Sequence, residues 1–70
     1  MMFKVSHICE PPQRWEVEVQ DPVVNVRVWV SMHDYCAHAF GTKDHKWWCT
    51  GKCWCFVHES DAQQFVWTWS

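Results

Sequence analysis

Five cysteines and five histidines in 70 residues are the side chains best equipped for chemistry in this chain. Cys49, Cys53, Cys55 and His58 crowd into one stretch around Gly51, with His45 just before it and His33, Cys36 and His38 just upstream. Zinc takes four nitrogen or sulfur ligands in a tetrahedron, and cysteines flanking a glycine turn are one way to present half of them. The spacing argues against such a site. Three residues separate Cys49 from Cys53 instead of the usual two, one separates Cys53 from Cys55, and no second pair matches the first. Cysteine also serves as a small buried hydrophobe, and that is the reading preferred here, with a zinc set of Cys49, Cys53, Cys55 and His58 as the alternative.

Catalysis lacks a signature. The chain holds no glycine-rich nucleophile turn, no phosphate loop, no paired histidine–glutamate motif and no zinc-deaminase pattern. A chain this short has little room for a substrate pocket beside a core. The expectation is a protein that is not an enzyme and needs no cofactor.

The same stretch, from His45 to His58, reads as a β-hairpin with Thr50-Gly51 in its turn, and two- and three-residue loops both fit. It carries three of the seven tryptophans. Trp47 and Trp48 are adjacent and must face opposite sides of a strand. With Trp15, Trp29 and Trp69 assigned to the core by periodicity, Trp47, Trp48, Trp54 and Trp67 exceed what the interior can take, so at least one is exposed. Exposed tryptophans beside a polar rim mark protein interfaces. The candidate interface is therefore Trp47, Trp48 and Trp54 with Lys46 and Lys52, and the acidic N-terminal hairpin with Glu16 and Glu18. Aromatics among lysines also suit single-strand nucleic acid, but a net charge of −2 withholds the general electrostatic attraction that such binding uses.

These side chains must be positioned by the elements around them. Met2 to Cys9 alternates like a strand, with Phe3, Val5 and His7 against Lys4 and Ser6, and stops at Glu10-Pro11-Pro12. Arg14 to Gln20 alternates again, Trp15, Val17 and Val19 on one side and Glu16, Glu18 and Gln20 on the other, giving an antiparallel hairpin. Asp21-Pro22 is a helix-start signal. A helix from about Pro22 to Phe40 would bury Val26, Trp29, Val30, His33, Cys36, Ala37 and Phe40, with Arg27, Ser31, Asp34 and His38 outward and Gly41 as C-cap before Thr42-Lys43-Asp44. The alternation of Val24, Val26, Val28 and Val30 supports a competing strand through Val30, followed by a shorter helix from Ser31. His33 reads as a core histidine with a satisfied hydrogen bond. After the central hairpin, Ser60 or Asp61 can cap a last helix burying Ala62, Phe65, Val66 and Trp69, with a terminal strand from Phe65 to Trp69 as the alternative.

The predicted architecture is a single α+β domain over residues 1–70: about four antiparallel strands in ββαββα order, with one longer and one short helix on one face. Trp15 to Val19 running into Asp21 is loosely echoed by Trp54 to His58 running into Ser60 or Asp61. Both faces of the central hairpin are apolar, so one should meet the helices and the other a partner, a ligand or a second copy. An odd cysteine count, no signal-peptide pattern and no apolar run of roughly 20 residues point to a reducing cytoplasm and away from the membrane.

Phe56-Val57-His58-Glu59-Ser60-Asp61-Ala62-Gln63-Gln64-Phe65-Val66-Trp67-Thr68-Trp69 resembles the closing segment of short tailed-phage accessory proteins: an aromatic strand, an acidic turn, Asp-Ala, then Phe and a terminal Trp. The terminal Trp-Thr-Trp-Ser departs from their more usual leucine-containing ending. The resemblance implies a phage accessory protein in the host cytoplasm that binds and blocks a host or defence protein, as anti-CRISPR proteins do. It implies no catalytic residues.

Overall fold

The computed structural model of the protein describes residues 2–21, 25–43 and 45–69. Six elements follow in the expected ββαββα order: β1 (Phe3–Ile8), β2 (Arg14–Val19), α1 (Val26–Phe40), β3 (Trp47–Thr50), β4 (Cys53–Phe56) and α2 (Glu59–Trp69). They form one four-stranded sheet of order β1-β2-β4-β3, antiparallel throughout. Each hairpin contributes one central and one edge strand. β2 and β4 meet down the middle with Glu16 opposite Cys55, so the two ββα units, whose sequences echo each other, join through corresponding strands.

The alternation within each strand decides which side chains reach the helices. Val17, Val19, Trp54, Phe56 and Trp47 fall on one face and are buried, with Met32, Cys36 and Phe40 of α1 and Ala62 and Phe65 of α2 against them. Large aromatics fill most of this interior. Trp54 packs within 4.9 Å of Trp29 and 5.4 Å of Phe65 between ring centroids, and Phe56 lies 5.4 Å from Phe40 and 5.3 Å from Phe65. Each fully buried side chain of this size stabilises the fold by about 1.5–3 kcal/mol. The helices are tied together at their polar margin, where Tyr35 Oη lies 2.9 Å from Thr68 Oγ1 and accepts from Gln64 Nε2 at 3.1 Å.

Helix α1 begins at Val26, capped by Asn25, whose Oδ1 accepts from Arg27 N at 2.7 Å and whose carbonyl accepts from Trp29 N at 3.0 Å. Asp21 does not cap it: its carboxylate accepts from Met2 N at 3.0 Å and ties the end of β2 to the start of β1. The expected first turn, Pro22 to Val24, and Asp44 of the next loop lie outside the described residues. The helix prevails over the valine alternation because its opposite edge can bury larger side chains. Met32 is fully buried, while Val26 and Val30 stand in solvent and Ala37 is exposed. His33 is half-buried, its ring edge-on to Trp47 and Trp54 at 5.6 and 4.8 Å.

Phe40 ends α1, and Gly41 takes φ 91° at the expected C-cap, a conformation that side chains disfavour. Its carbonyl accepts the indole N–H of Trp47 at 2.9 Å, so the cap and the core are joined. The second hairpin has a two-residue turn, Gly51-Lys52, with Thr50 opposite Cys53 and Gly51 at φ 59°, as primed hairpin turns require. Helix α2 starts at Glu59, one residue before Ser60 and two before Asp61, the expected caps. The carbonyl of His58 accepts from Asp61 N and Ala62 N, leaving Ser60 and Asp61 within the first turn, where Glu59 and Asp61 favour the positive end of the helix dipole. It remains helical through Trp69, with Ala62 and Phe65 buried and Val66 and Trp69 partly so. Among the described residues no helix is long and apolar enough to cross a membrane.

Candidate functional site

Both helices pack on the Val17–Trp54 side, and the other face of the sheet carries none. Strand pairing builds that face row by row. One row runs Lys4, Glu18, Cys53, Thr50; the next runs Ser6, Glu16, Cys55, Trp48; Ile8 and Arg14 follow on β1 and β2. Against one side of these rows the Glu10-Pro11-Pro12 turn stands up, and together they enclose a shallow basin of about 510 Å³ between Pro12, Arg14, Trp48 and Cys55.

The floor of the basin is apolar. Cys55 is buried and Trp48 and Cys53 are half-buried. Burial, then the nearby Glu16 carboxylate, pushes the Cys55 thiol up to about 11, and burial with Glu16 and Glu18 raises Cys53. Both therefore stay uncharged at neutral pH. The rim is charged and partly fixed. Arg14 donates from Nε to Glu16 Oε2 at 2.9 Å and from a terminal nitrogen to the Pro12 carbonyl at 2.9 Å, which holds the proline turn against the sheet. Gln20 Nε2 donates to Glu18 Oε1 at 2.8 Å. Three carboxylates, Glu10, Glu16 and Glu18, outnumber the two cations of this face, Arg14 beside Glu16 and Lys4 opposite Glu18, and leave the rim acidic.

The proposed interface is thereby split. Trp48, Glu16 and Glu18 do come together, on the uncovered face. Trp47 and Trp54 do not: both are essentially inaccessible, 1% and 0% exposed, because strand parity turns them into the aromatic core. They cannot serve as binding residues, and a stacking platform for single-stranded nucleic acid loses two of its three tryptophans. Lys46 and Lys52 are exposed at opposite ends of the hairpin, Lys46 before β3 and Lys52 in the turn, where its carbonyl accepts from Val19 N at 3.1 Å.

The zinc set is also dispersed. Cys49 pairs with Trp54 and so points to the helix side, across the sheet from Cys53 and Cys55. His58 is exposed beyond β4 at the start of α2. Among the described residues no three His, Cys, Asp or Glu side chains converge as a metal site. All five cysteines are free thiols. Cys36 is buried beneath α1, and its thiol is pushed up to about 12 by burial, then by Cys49.

Trp67, one of the four tryptophans expected to exceed the interior, lies outside the candidate interface drawn from the sequence. Trp67 is 88% exposed, the most exposed large apolar side chain among the described residues, ahead of Val26 and Met2. It borders a groove of about 600 Å³ between α2 and the β1–β2 hairpin, floored by Val5 and Trp15. The signal was present: the helical spacing that turns Ala62, Phe65, Val66 and Trp69 inward leaves Trp67 off that face.

The fold and site define a small, tryptophan-rich α+β domain with one covered and one uncovered sheet face. No family model, curated protein or solved structure matches the chain.

Proposed function

We propose that this chain is a small accessory protein of the phage type. It works stoichiometrically, laying its uncovered sheet face on a basic surface of a host or defence protein and blocking it in the manner of an anti-CRISPR protein. The observation that carries this reading is the composition of that face. A solvated sheet face is ordinarily polar, whereas this one has Trp48, Cys53 and Cys55 at its centre and Glu10, Glu16 and Glu18 around them. An apolar centre with a charged rim is the anatomy of a protein interface, and its acidity favours a positively charged partner. The resemblance of the C-terminal segment to phage accessory proteins supports the choice of a host-cell target, and free thiols fit a reducing cytoplasm.

The test is retention of a host protein by the tagged chain in fixed molar ratio, compared with Trp48→Ala and with Glu16→Lys/Glu18→Lys. Both variants should keep the wild-type circular dichroism and lose the retained protein. Activity of that protein should fall to its floor at one equivalent of the chain. Retention unaffected by either variant, or inhibition at far below one equivalent, overturns the reading.

A further inference from the structure

The edge of β1 offers a different opportunity, on the opposite side of the sheet from the basin. Gln20 N donates to the Met2 carbonyl at 2.9 Å, so Met2 and Gln20 are a hydrogen-bonded pair. Pairs of this kind alternate along an antiparallel ladder, which makes Lys4–Glu18, Ser6–Glu16 and Ile8–Arg14 the others. The amides and carbonyls of Phe3, Val5 and His7 therefore point away from β2, and among the described residues no backbone partner meets them. Such an edge is a template for another strand.

The two sheet edges differ. β3 is four residues long, preceded by Lys46 and followed by a turn that carries Lys52, charges that discourage added strands. β1 is six residues long, and its one lysine, Lys4, lies on the face away from the helices. On the helix side, Val5 is 50% exposed and floors the 600 Å³ groove. The wall of that groove is a stripe of α2, Glu59, Ala62, Gln63, Val66 and Trp67, at helical i, i+3, i+4, i+7 and i+8 spacing.

We infer that two copies of this chain pair antiparallel through β1, centred on Val5, and that Trp67 of each closes over the junction. The edge is self-complementary in that register. Val5 meets Val5 of the second copy, Phe3 meets His7 and Lys4 meets Ser6, so no like charges are directly opposed. The Val5–Val5 and Phe3–His7 pairs are the ones whose backbone groups point outward, and each exchanges two hydrogen bonds. A two-fold axis through Val5 stands perpendicular to the sheet. It keeps both α2 helices on one side, facing each other across the two grooves, with the Trp67 side chains between them. Trp67, 88% exposed, supplies on the order of 150–200 Å² per copy. That is roughly a fifth of the ~800 Å² per partner in a standard interface, and the six-residue edge, Val5 and the groove walls supply further area. The uncovered faces of both sheets stay accessible and become one continuous surface.

The test is sedimentation velocity of the full chain in reductant, with amide hydrogen exchange on the same samples. The wild type should sediment at twice 8.5 kDa, and Trp67→Glu at 8.5 kDa with unchanged circular dichroism. The Val5 and His7 amides, outward-facing in one copy, should exchange about tenfold or more slowly in the dimer. A wild type that stays monomeric at about 1 mM overturns the inference. So does a dimer whose Val5 amide exchanges freely, or one dissociated by Trp48→Glu and not by Trp67→Glu, which would place the junction on the other face. The exchange measurement needs only the wild type and stands even if Trp67→Glu fails to fold.

Discussion

Trp47 and Trp54 are neighbours in the core, equally buried, and differ in one atom's environment. The Trp47 indole N–H donates to the Gly41 carbonyl at 2.9 Å, whereas that of Trp54 is buried without a hydrogen-bond partner among the described residues. Replacing each by phenylalanine removes similar volume and leaves a similar cavity, so that cost largely cancels in the comparison. What remains is the polar group. Trp47→Phe loses a hydrogen bond with a net value of about 1 kcal/mol, while Trp54→Phe removes an unpaired donor whose burial costs about 1–3 kcal/mol. Trp47→Phe should therefore be more destabilising than Trp54→Phe by about 2–4 kcal/mol. In a domain of this size each kcal/mol moves Tm by about 4–8 °C, so the two melting points should differ by at least about 8 °C. Thermal and urea unfolding monitored by far-UV circular dichroism measure this directly. Equal melting points, or a lower one for Trp54→Phe, would refute the assignment of these two nitrogens. Truncation is a different matter: either tryptophan changed to alanine should cost about 3–5 kcal/mol, a large share of the roughly 3.5–10.5 kcal/mol available to a 70-residue chain at ~0.05–0.15 kcal/mol per residue. Loss of binding in those variants would thus report unfolding and not an interface.

Other consequences are as direct. Asn25→Ala should lower stability by about 1 kcal/mol through loss of the α1 cap, with a matching loss of helical signal, whereas Asp21→Ala should leave the helical signal intact; the reverse order would move the cap. Because Cys36 is raised from 9.0 to about 12 in the folded chain, its contribution is complete below pH 9 and is lost as pH rises toward 12. Melting temperature should fall across that window, and less steeply in Cys36→Val; parallel pH profiles would contradict it. A thiol reagent at pH 8 should modify exposed Cys9 first and reach Cys36 and Cys55 only on unfolding, as peptide mapping after timed quenching would show. Early labelling of Cys55 would mean that the basin floor is open.

Local patterning was enough for the ββαββα order, though it left helix and strand competing before Ser31 and after Phe65. Period-two alternation marked β1, β2 and the second hairpin, Gly41 and Gly51 marked a helix end and a turn, and the spacing of Ala62, Phe65, Val66 and Trp69 marked the buried face of α2. Each is a local signal, set by the backbone period or by a φ that glycine tolerates. Strand parity was equally legible: Trp47 and Trp48 had to face apart. Which of them faced inward was not, because that depends on the side of the sheet the helices take. Packing settles it, sending Trp47 and Trp54 to the core, Trp48 to the uncovered face and Cys49 away from Cys53 and Cys55. The same holds for α1, where the sequence pointed to Asp21 as the cap but Asn25 holds that place, and the burial of Met32 in place of Val30 fixed the helix's rotation. A side chain's chemical type comes from the chain, but its partners come from packing, and the candidate site here is made of residues whose partners lie on other strands.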